Sequence, residues 1–576
     1  MPIVQELSKI FGLPLADLHG IRRYLQMQFT PVIPFALALL ALGTSLPEST
    51  TRPEEGMWLF EALPLKALKE KYNFEPTKEW LDHVRLGSVR FDTGGSGSFV
   101  SADGLVMTNH HVALSTIQKV STPEKDWVEP GFSSRLYGSE VPGTGLVLRQ
   151  LVDVKDVTEE VLAVKADGGD VEAKLTELCA ADTNEEKHLD AEPVTLYDGN
   201  QYRIYIYHKF DDVRLVFAPA KQVAFYGGDY DNFTYPRWCL DCAFFRVYED
   251  GKPVDSSKWF FPFETDGAKN GDLVFVSGHP GGTERSLTYE EMVMHRDLWV
   301  PQVVALLTNN CKVIKRRMEA DEKQAFELRD TYFGMMNSLK AFSGHLSGLV
   351  DPERMALIKA RDADLLEKSS SKEVQAAFDA IGAEMEALKA KYAEGRVDFR
   401  KLQGDMGKAV EAVASHKTTI NKARFEAYGA ANYPDATFTL RLTYGTVKGY
   451  EAGTTKVSPK TTVHGLYERN AAFDNEHPFD LPKQWLDAKG KMDWNTPYNF
   501  VCTCDIIGGN SGSPVLSRDG KVVGLVFDGN IESLPGNYWF DEEINRTVSV
   551  HTAIMIEALS KIYEETDLVA ELMATK

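Results

Sequence analysis

From about residue 88 to 282 the chain runs in short stretches where apolar and polar residues alternate or apolar residues follow one another, separated by Gly, Pro and Asp. Tyr202-Arg-Ile-Tyr-Ile-Tyr and Asp272-Leu-Val-Phe-Val-Ser are examples. A period of two between turn residues predicts β-strands. Between about 286 and 432 the period changes: Val374, Phe378, Ile381, Met385 and Leu388 recur at steps of four and three. That is one face of an amphipathic helix, expected to end near Gly395. Strand patterning resumes at Thr437-Phe-Thr-Leu-Arg-Leu-Thr-Tyr and carries on to Val522-Val-Gly-Leu-Val-Phe527. A final amphipathic helix is expected over roughly 551 to 575. The pattern predicts a β-rich unit in two pieces, 52–285 and 433–576, split by a helical insertion at 286–432.

Candidate chemistry enters at Asp505-Ile-Ile-Gly-Gly-Asn-Ser511-Gly-Ser-Pro. Glycines on both sides of a serine let the chain turn tightly without a Cβ in the way, and the run has the form of the nucleophile segment of a chymotrypsin-type serine peptidase. In that chemistry Ser511 attacks a carbonyl and the backbone N–H groups of Gly509 and Ser511 hold the developing oxyanion. A plain Gly/Ser/Asn turn between strands is the alternative, so the serine needs partners. A hydroxyl requires a base to take its proton, and histidine is the usual one. Among 13 histidines, His110 and His111 follow an apolar run and a turn at Asp103-Gly104. His111, which directly precedes Val112, is the expected base and His110 a supporting residue. The third member should be a carboxylate that fixes the imidazole tautomer. Asp241 opens the apolar run Cys242-Ala-Phe-Phe-Arg-Val-Tyr, and the order His111, Asp241, Ser511 is the chymotrypsin order.

Several longer segments then narrow the resemblance. They are Glu54-Glu-Gly-Met-Trp-Leu-Phe, Ser88-Val-Arg-Phe, Thr108-Asn-His-His, Phe225-Tyr-Gly-Gly-Asp-Tyr-Asp-Asn-Phe-Thr-Tyr-Pro-Arg237, Asn337-Ser-Leu-Lys340, Tyr433-Pro-Asp-Ala, Tyr444-Gly-Thr-Val-Lys-Gly-Tyr450 and Phe527-Asp-Gly-Asn530. From about residue 52 to the end, the chain resembles the bacterial dipeptidyl-peptidases of the 7 and 11 type, secreted chymotrypsin-like exopeptidases with a helical insertion. The resemblance implies a chymotrypsin-like double β-barrel with an inserted α-helical domain, a homodimer, and peptide substrates with a free N-terminus. It implies that Asn232 and Asn337 accept hydrogen bonds from the substrate's α-ammonium while Phe233 walls the pocket, at a position where the family often has tryptophan. Asp528 is a further candidate for the polar end of that site. At the position of Gly529 an arginine in other members pairs with acidic side chains, whereas glycine leaves an open apolar pocket. A bulky aliphatic or aromatic second residue is the expected preference. The helical insertion is shorter than in these relatives, which bears on how completely a cap closes. A chymotrypsin-like endopeptidase with an open cleft and a catalytically silent peptide-binding protein are the competing readings.

Composition adds limits. The 576 residues are 43% hydrophobic and 11% aromatic, enough for large cores. A formal charge of -21 argues against nucleic acid or an anionic membrane as the main partner. Acyl transfer by such a triad requires no metal or organic cofactor. Asp229-Tyr-Asp-Asn232 has the look of a calcium loop, but no downstream glutamate completes one. Arg22-Arg23 precedes Pro31-Val-Ile-Pro-Phe-Ala-Leu-Ala-Leu-Leu-Ala-Leu-Gly43, whose apolar core is short for a membrane span. Residues 1–50 are therefore expected to be a signal peptide, with cleavage before Thr44 and Met27 an alternative start. An uncleaved anchor is the other reading, and the expected location is secreted or periplasmic. The cysteines, Cys179, Cys239, Cys242, Cys311, Cys502 and Cys504, would then sit in an oxidising compartment. A disulfide tying Cys239 or Cys242 to Cys502 or Cys504 is one expectation, zinc held by CxxC with CxC a lesser one, and the pairing is left open.

Overall fold

Three consecutive strands set the frame of the first sheet: β1 (Ser88–Phe91), β2 (Ser96–Phe99) and β3 (Leu105–Thr108). A computed structural model describes residues 54–574 of the chain, apart from 123, 135–137, 430 and 431. The turn between β1 and β2 is made by Gly94 and Gly95, at φ +100° and +131°, a region that side-chain-bearing residues rarely enter. All three strands are buried on both faces, so apart from the buried Arg90 of β1 they read as continuous apolar or small-residue runs. The eleven-stranded sheet runs from Phe132–Ser133 through Asp212–Ala218, β4 (Ala243–Glu249), β3, β2, β1, Leu148–Asp156 and Gln201–Phe210 to Leu189–Leu196. Two further short strands pair off this path.

The second, seven-stranded sheet has the order Arg441–Thr446, β5 (Leu273–Gly278), β6 (Pro514–Leu516), β7 (Val522–Gly529), Thr547–His551, Pro497–Cys502 and Lys460–Thr462. One core lies between the sheets and takes Leu105, Met107 and Phe244 from the first and Phe275, Leu525 and Val548 from the second. Each sheet has two unpaired ends in this order, so the strand pairings among the described residues show two sheets without the expected barrel closure.

Between the sheets' segments run the helices α2 (Val300–Ala320), α3 (Glu322–Leu349), α4 (Pro352–Ser369), α5 (Lys372–Lys391) and α6 (Phe399–Tyr428), downstream of α1 (His110–Val120). Helix α5 starts at Ser371, whose side chain accepts from the Val374 N–H, an N-cap that satisfies one orphan donor. It buries Val374, Ala377, Ile381, Met385 and Leu388 against Leu402, Met406, Ala409 and Val413 of α6. With these helices, more residues lie in helix than in strand, so the fold is mixed and not β-rich.

Two further expectations are corrected. The C-terminal segment is two helices, Thr552–Lys561 and Thr566–Leu572, broken at Glu564 with φ +58°. The Ile562 and Tyr563 amides both return to the Ala558 carbonyl, and the Tyr563 ring turns in to meet Phe217 at 5.0 Å. All six cysteines are free thiols. Cys239 and Cys242 belong to the inter-sheet core, while Cys502 and Cys504 face a separate core with Val274, Val276 and Val515. The expected signal segment lies outside the described residues. No helix among those described is long and apolar enough to cross a membrane.

Candidate active site

Antiparallel pairing of β4 with β3 places Ala243 opposite Thr108. Continuing that register sets Asp241 opposite His110, one residue from His111, so strand pairing brings together residues 130 positions apart. Three hydrogen bonds hold them. Asn109 Nδ2 donates to the Asp241 carbonyl at 2.8 Å. The His111 N–H, an orphan donor in the first turn of α1, gives 3.1 Å to Asp241 Oδ1. His111 Nδ1 lies 2.6 Å from Asp241 Oδ2. Donation from Nδ1–H to the carboxylate leaves Nε2 as the basic nitrogen. Burial disfavours the charged ring, but the charge of Asp241 and its hydrogen bond outweigh this and hold the His111 pKa above its ordinary value. Burial likewise pushes Asp241 up, and the histidine overrides it to leave the carboxylate below its usual range. His110 differs: burial pushes its pKa down to about 4, so it is neutral near pH 7.

The Ser511 loop is clamped to both sheets through Ser96 at the start of β2. The Ser96 N–H donates to the Ser511 carbonyl at 2.7 Å. Ser96 Oγ donates to the Gly509 carbonyl at 2.9 Å and accepts from the His279 N–H at 2.8 Å. Glycine is required next to the serine: Gly512 has φ +87°, and a Cβ there would sit 1.9 Å from the Ser96 carbonyl oxygen. Gly509, at φ +102°, would place one 2.5 Å from the His279 carbonyl. Among the described residues no acceptor takes the amide of Gly509 or Ser511, the two N–H groups assigned to an oxyanion. A Cβ on Gly95 would touch both Val112, at 2.8 Å, and the Ser511 carbonyl, at 3.2 Å. The loop therefore lies beside the first turn of α1.

The residues expected to read a peptide N-terminus also meet. Asn232 Nδ2 donates to Asn337 Oδ1 of α3 at 3.1 Å. Phe233 takes φ +55°, and its N–H donates to Asp528 Oδ2 at 2.9 Å. The same carboxylate accepts from Arg237 Nη1 at 2.6 Å and from the Gly529 N–H at 2.8 Å. The protein thus uses Asp528 to hold Phe233 in a left-handed conformation. Gly529 does not open onto empty space: a Cβ there would lie 2.2 Å from Ser533 Oγ, in the turn Ile531–Asn537. Arginines around this wall are engaged. Arg237 pairs with Asp528, Arg285 with Asp505, and the Arg546 guanidinium with backbone carbonyls that include Lys448 and Gly449. Phe333 of α3 stands edge-on to Phe225 at 4.8 Å, and both line a small cavity with His111 and Asp241.

Ser96, Arg237, Ser533 and Lys340 were not singled out from sequence. Ser96 sits in the run Gly94-Gly-Ser-Gly-Ser, and Arg237 and Lys340 end two of the segments that carry the family resemblance.

A serine between clamped glycines, and a histidine oriented by a buried aspartate, have the make-up of a serine-type hydrolase. The chain belongs to the peptidase S46 family, whose model matches residues 53–411 and 397–574. It is a hydrolase of the dipeptidyl-peptidase class. It is 25% identical to dipeptidyl-peptidase 7 of Phocaeicola vulgatus, with 92% of this chain and 98% of that one covered. It is 26% identical to dipeptidyl-peptidase 7 of Porphyromonas gingivalis, covering 93% and 98%. An Asp/Glu-specific dipeptidyl-peptidase of Capnocytophaga gingivalis is 24% identical, covering 90% and 97%. Its fold is that of DPP11 from Porphyromonas endodontalis, solved with the dipeptide Arg-Glu, with a TM-score of 0.78 at 20% identity over 91% of this chain and 100% of that one.

Proposed function

We propose that the protein is a serine dipeptidyl aminopeptidase whose working residues are Ser511, His111 and Asp241, and that it prefers an apolar residue at the second position of the substrate. His111 Nε2 takes the Ser511 proton as Oγ attacks the carbonyl of that residue, and the Gly509 and Ser511 amides receive the oxyanion. The protonated His111 then gives its proton to the leaving amine, and water, activated the same way, releases the dipeptide. The observation that carries the reading is the Asn232–Asn337 hydrogen bond, which joins the catalytic unit to the helical insertion. Asn232 Oδ1 and the second lone pair of Asn337 Oδ1 are left for an α-ammonium.

Relatives named for acidic specificity and relatives named dipeptidyl-peptidase 7 match about equally well, so the site itself must favour one preference. Gly529 offers no cation, and the arginines nearby are already paired. An acidic side chain would lose its hydration without a partner, which supports an apolar preference. The family match comes in two stretches that overlap at 397–411, across the start of α6, in keeping with a shortened insertion. Export by the segment around Pro31–Gly43 belongs to the same proposal.

The test compares a free peptide with its N-acetylated form, using the wild type and Ser511→Ala. Dipeptide release from the free peptide alone supports the proposal. Equal cleavage of both points to an endopeptidase, and activity that survives Ser511→Ala refutes the assignment.

A further inference from the structure

Helix α3 turns one stripe toward the catalytic unit. Arg329 donates to both carboxylate oxygens of Asp126, at 2.7 and 2.8 Å. Phe333 meets Phe225, Asn337 meets Asn232, and Gly344 and Gly348 lie against Leu534 and Pro535. Steps of four and three keep these residues on one helix face. Lys340 stands on the same face, and the proposed chemistry gives it no task. Its Nζ donates to two backbone carbonyls of the loop that carries the Asn232 side chain: Asp229 at 2.5 Å and Asn232 itself at 3.0 Å.

Those carbonyls have a physical need for a donor. Gly228–Asp231 is a single helical turn capped by Asn232, whose N–H reaches the Asp229 carbonyl at 3.3 Å; the second lone pair of that oxygen and the Asn232 carbonyl just past the turn have no further partner within it. A lysine ammonium satisfies them and complements their partial negative charge. On the other side of the loop, Asp528 holds the Phe233 N–H and is itself paired with Arg237. The segment 229–233 is therefore gripped from the insertion by Lys340 and from the second sheet by Asp528. Asn232 is 5% exposed, and its amide is aimed both by the hydrogen bond to Asn337 and by the position of its backbone.

We infer that Lys340 is a positioning residue for substrate N-terminus recognition: it fixes the Asn232–Phe233 backbone, so the ammonium site forms only when α3 is docked. The inference rests on the dipeptidyl aminopeptidase reading. The Lys340 ammonium bonds the Asp229 and Asn232 carbonyls and makes no hydrogen bond to Ser511, His111 or Asp241 among the described residues, so its removal should weaken binding of the free N-terminus and spare acyl transfer.

The experiment uses the full-length enzyme with Lys340→Met and Lys340→Arg. A dipeptidyl aminocoumarin with an apolar second residue, free and N-acetylated, supplies kcat and KM, and hydrogen exchange follows the amides of residues 228–233. Loss of two charge-assisted bonds should raise KM for the free substrate about tenfold or more with kcat largely retained. Exchange in 228–233 should speed up in the same variant, and Lys340→Arg should restore most of both. Unchanged KM in Lys340→Met, or a fall in kcat at unchanged KM, overturns the inference. So does a Lys340→Arg variant that folds with the wild-type melting temperature yet fails to rescue. If the wild type cleaves free and acetylated probes equally, the aminopeptidase reading falls with it. Unchanged exchange in 228–233 would instead refute the Lys340 contact itself.

Discussion

Removing the carboxylate of Asp528 should damage both stability and substrate binding. The side chain is 5% exposed and its partner Arg237 is 1% exposed. Asp528→Ala deletes the acceptor for Arg237 Nη1, the Phe233 N–H and the Gly529 N–H together. It leaves a guanidinium buried in an apolar wall, with an Nε that already has no partner. Breaking a buried pair from one side costs about 3–5 kcal/mol. Arg237→Ala should cost less, because the Phe233 and Gly529 amides continue to solvate the stranded carboxylate. Replacing both, as Arg237→Ala with Asp528→Ala, removes the charge problem altogether. The two single losses should therefore exceed the double loss by at least about 1 kcal/mol. Denaturant midpoints for the four proteins measure this, and KM for a dipeptidyl substrate reports whether Phe233 has moved. Single effects that add to within about 0.5 kcal/mol, or an Asp528→Ala midpoint equal to that of the wild type, would refute the reasoning.

Since the base must be unprotonated, kcat/KM should fall as pH drops through the His111 pKa, which Asp241 raises above the ordinary histidine value. Asp241→Asn should move that acid limb to lower pH and cut kcat by about 10⁴; an unmoved limb argues against the pair. For stability the signs oppose. The raised His111 contributes below its unfolded pKa and is lost as pH rises through the folded value, whereas the lowered Asp241 contributes above its unfolded pKa and is lost as pH falls through its folded one. Ser96→Ala leaves the Gly509 carbonyl and the His279 amide without partners, costing about 1–3 kcal/mol, and should lower kcat more than it raises KM, since the loss falls on the loop proposed to hold the oxyanion. Alkylation of the unreduced, denatured protein should modify every cysteine; mass spectrometry showing fewer adducts would indicate a disulfide that the structure lacks.

Local chemistry made much of the site legible. A glycine-bracketed serine and a strand-turn-strand ending in paired histidines carry their meaning within about twenty residues, and the period of α5 is complete within one helix. Other features have no local signature. The Asp528 carboxylate reads as a generic polar residue until Arg237 and Phe233 are seen against it, and Gly529 reads as open space until Ser533 is found where its Cβ would point. Proximity of cysteines to the catalytic segments along the chain suggested a disulfide, but the strands direct their thiols into two different cores. A continuous C-terminal amphipathic pattern concealed a break that packing of Tyr563 against Phe217 imposes.

Taken alone, the sequence determined the chemical types: which serine, histidine and aspartate have the right neighbours, where strands give way to helices, and which family the long motifs resemble. These depend on spacing and backbone preference, which a short window holds in full. Tertiary structure decided the pairings. β3–β4 register brings Asp241 under His111, Ser96 ties the serine loop to both sheets, and one face of α3 grips the loop that carries Asn232. Such contacts join residues a hundred to several hundred positions apart, and burial, strand register and helix docking select among partners that composition leaves equivalent.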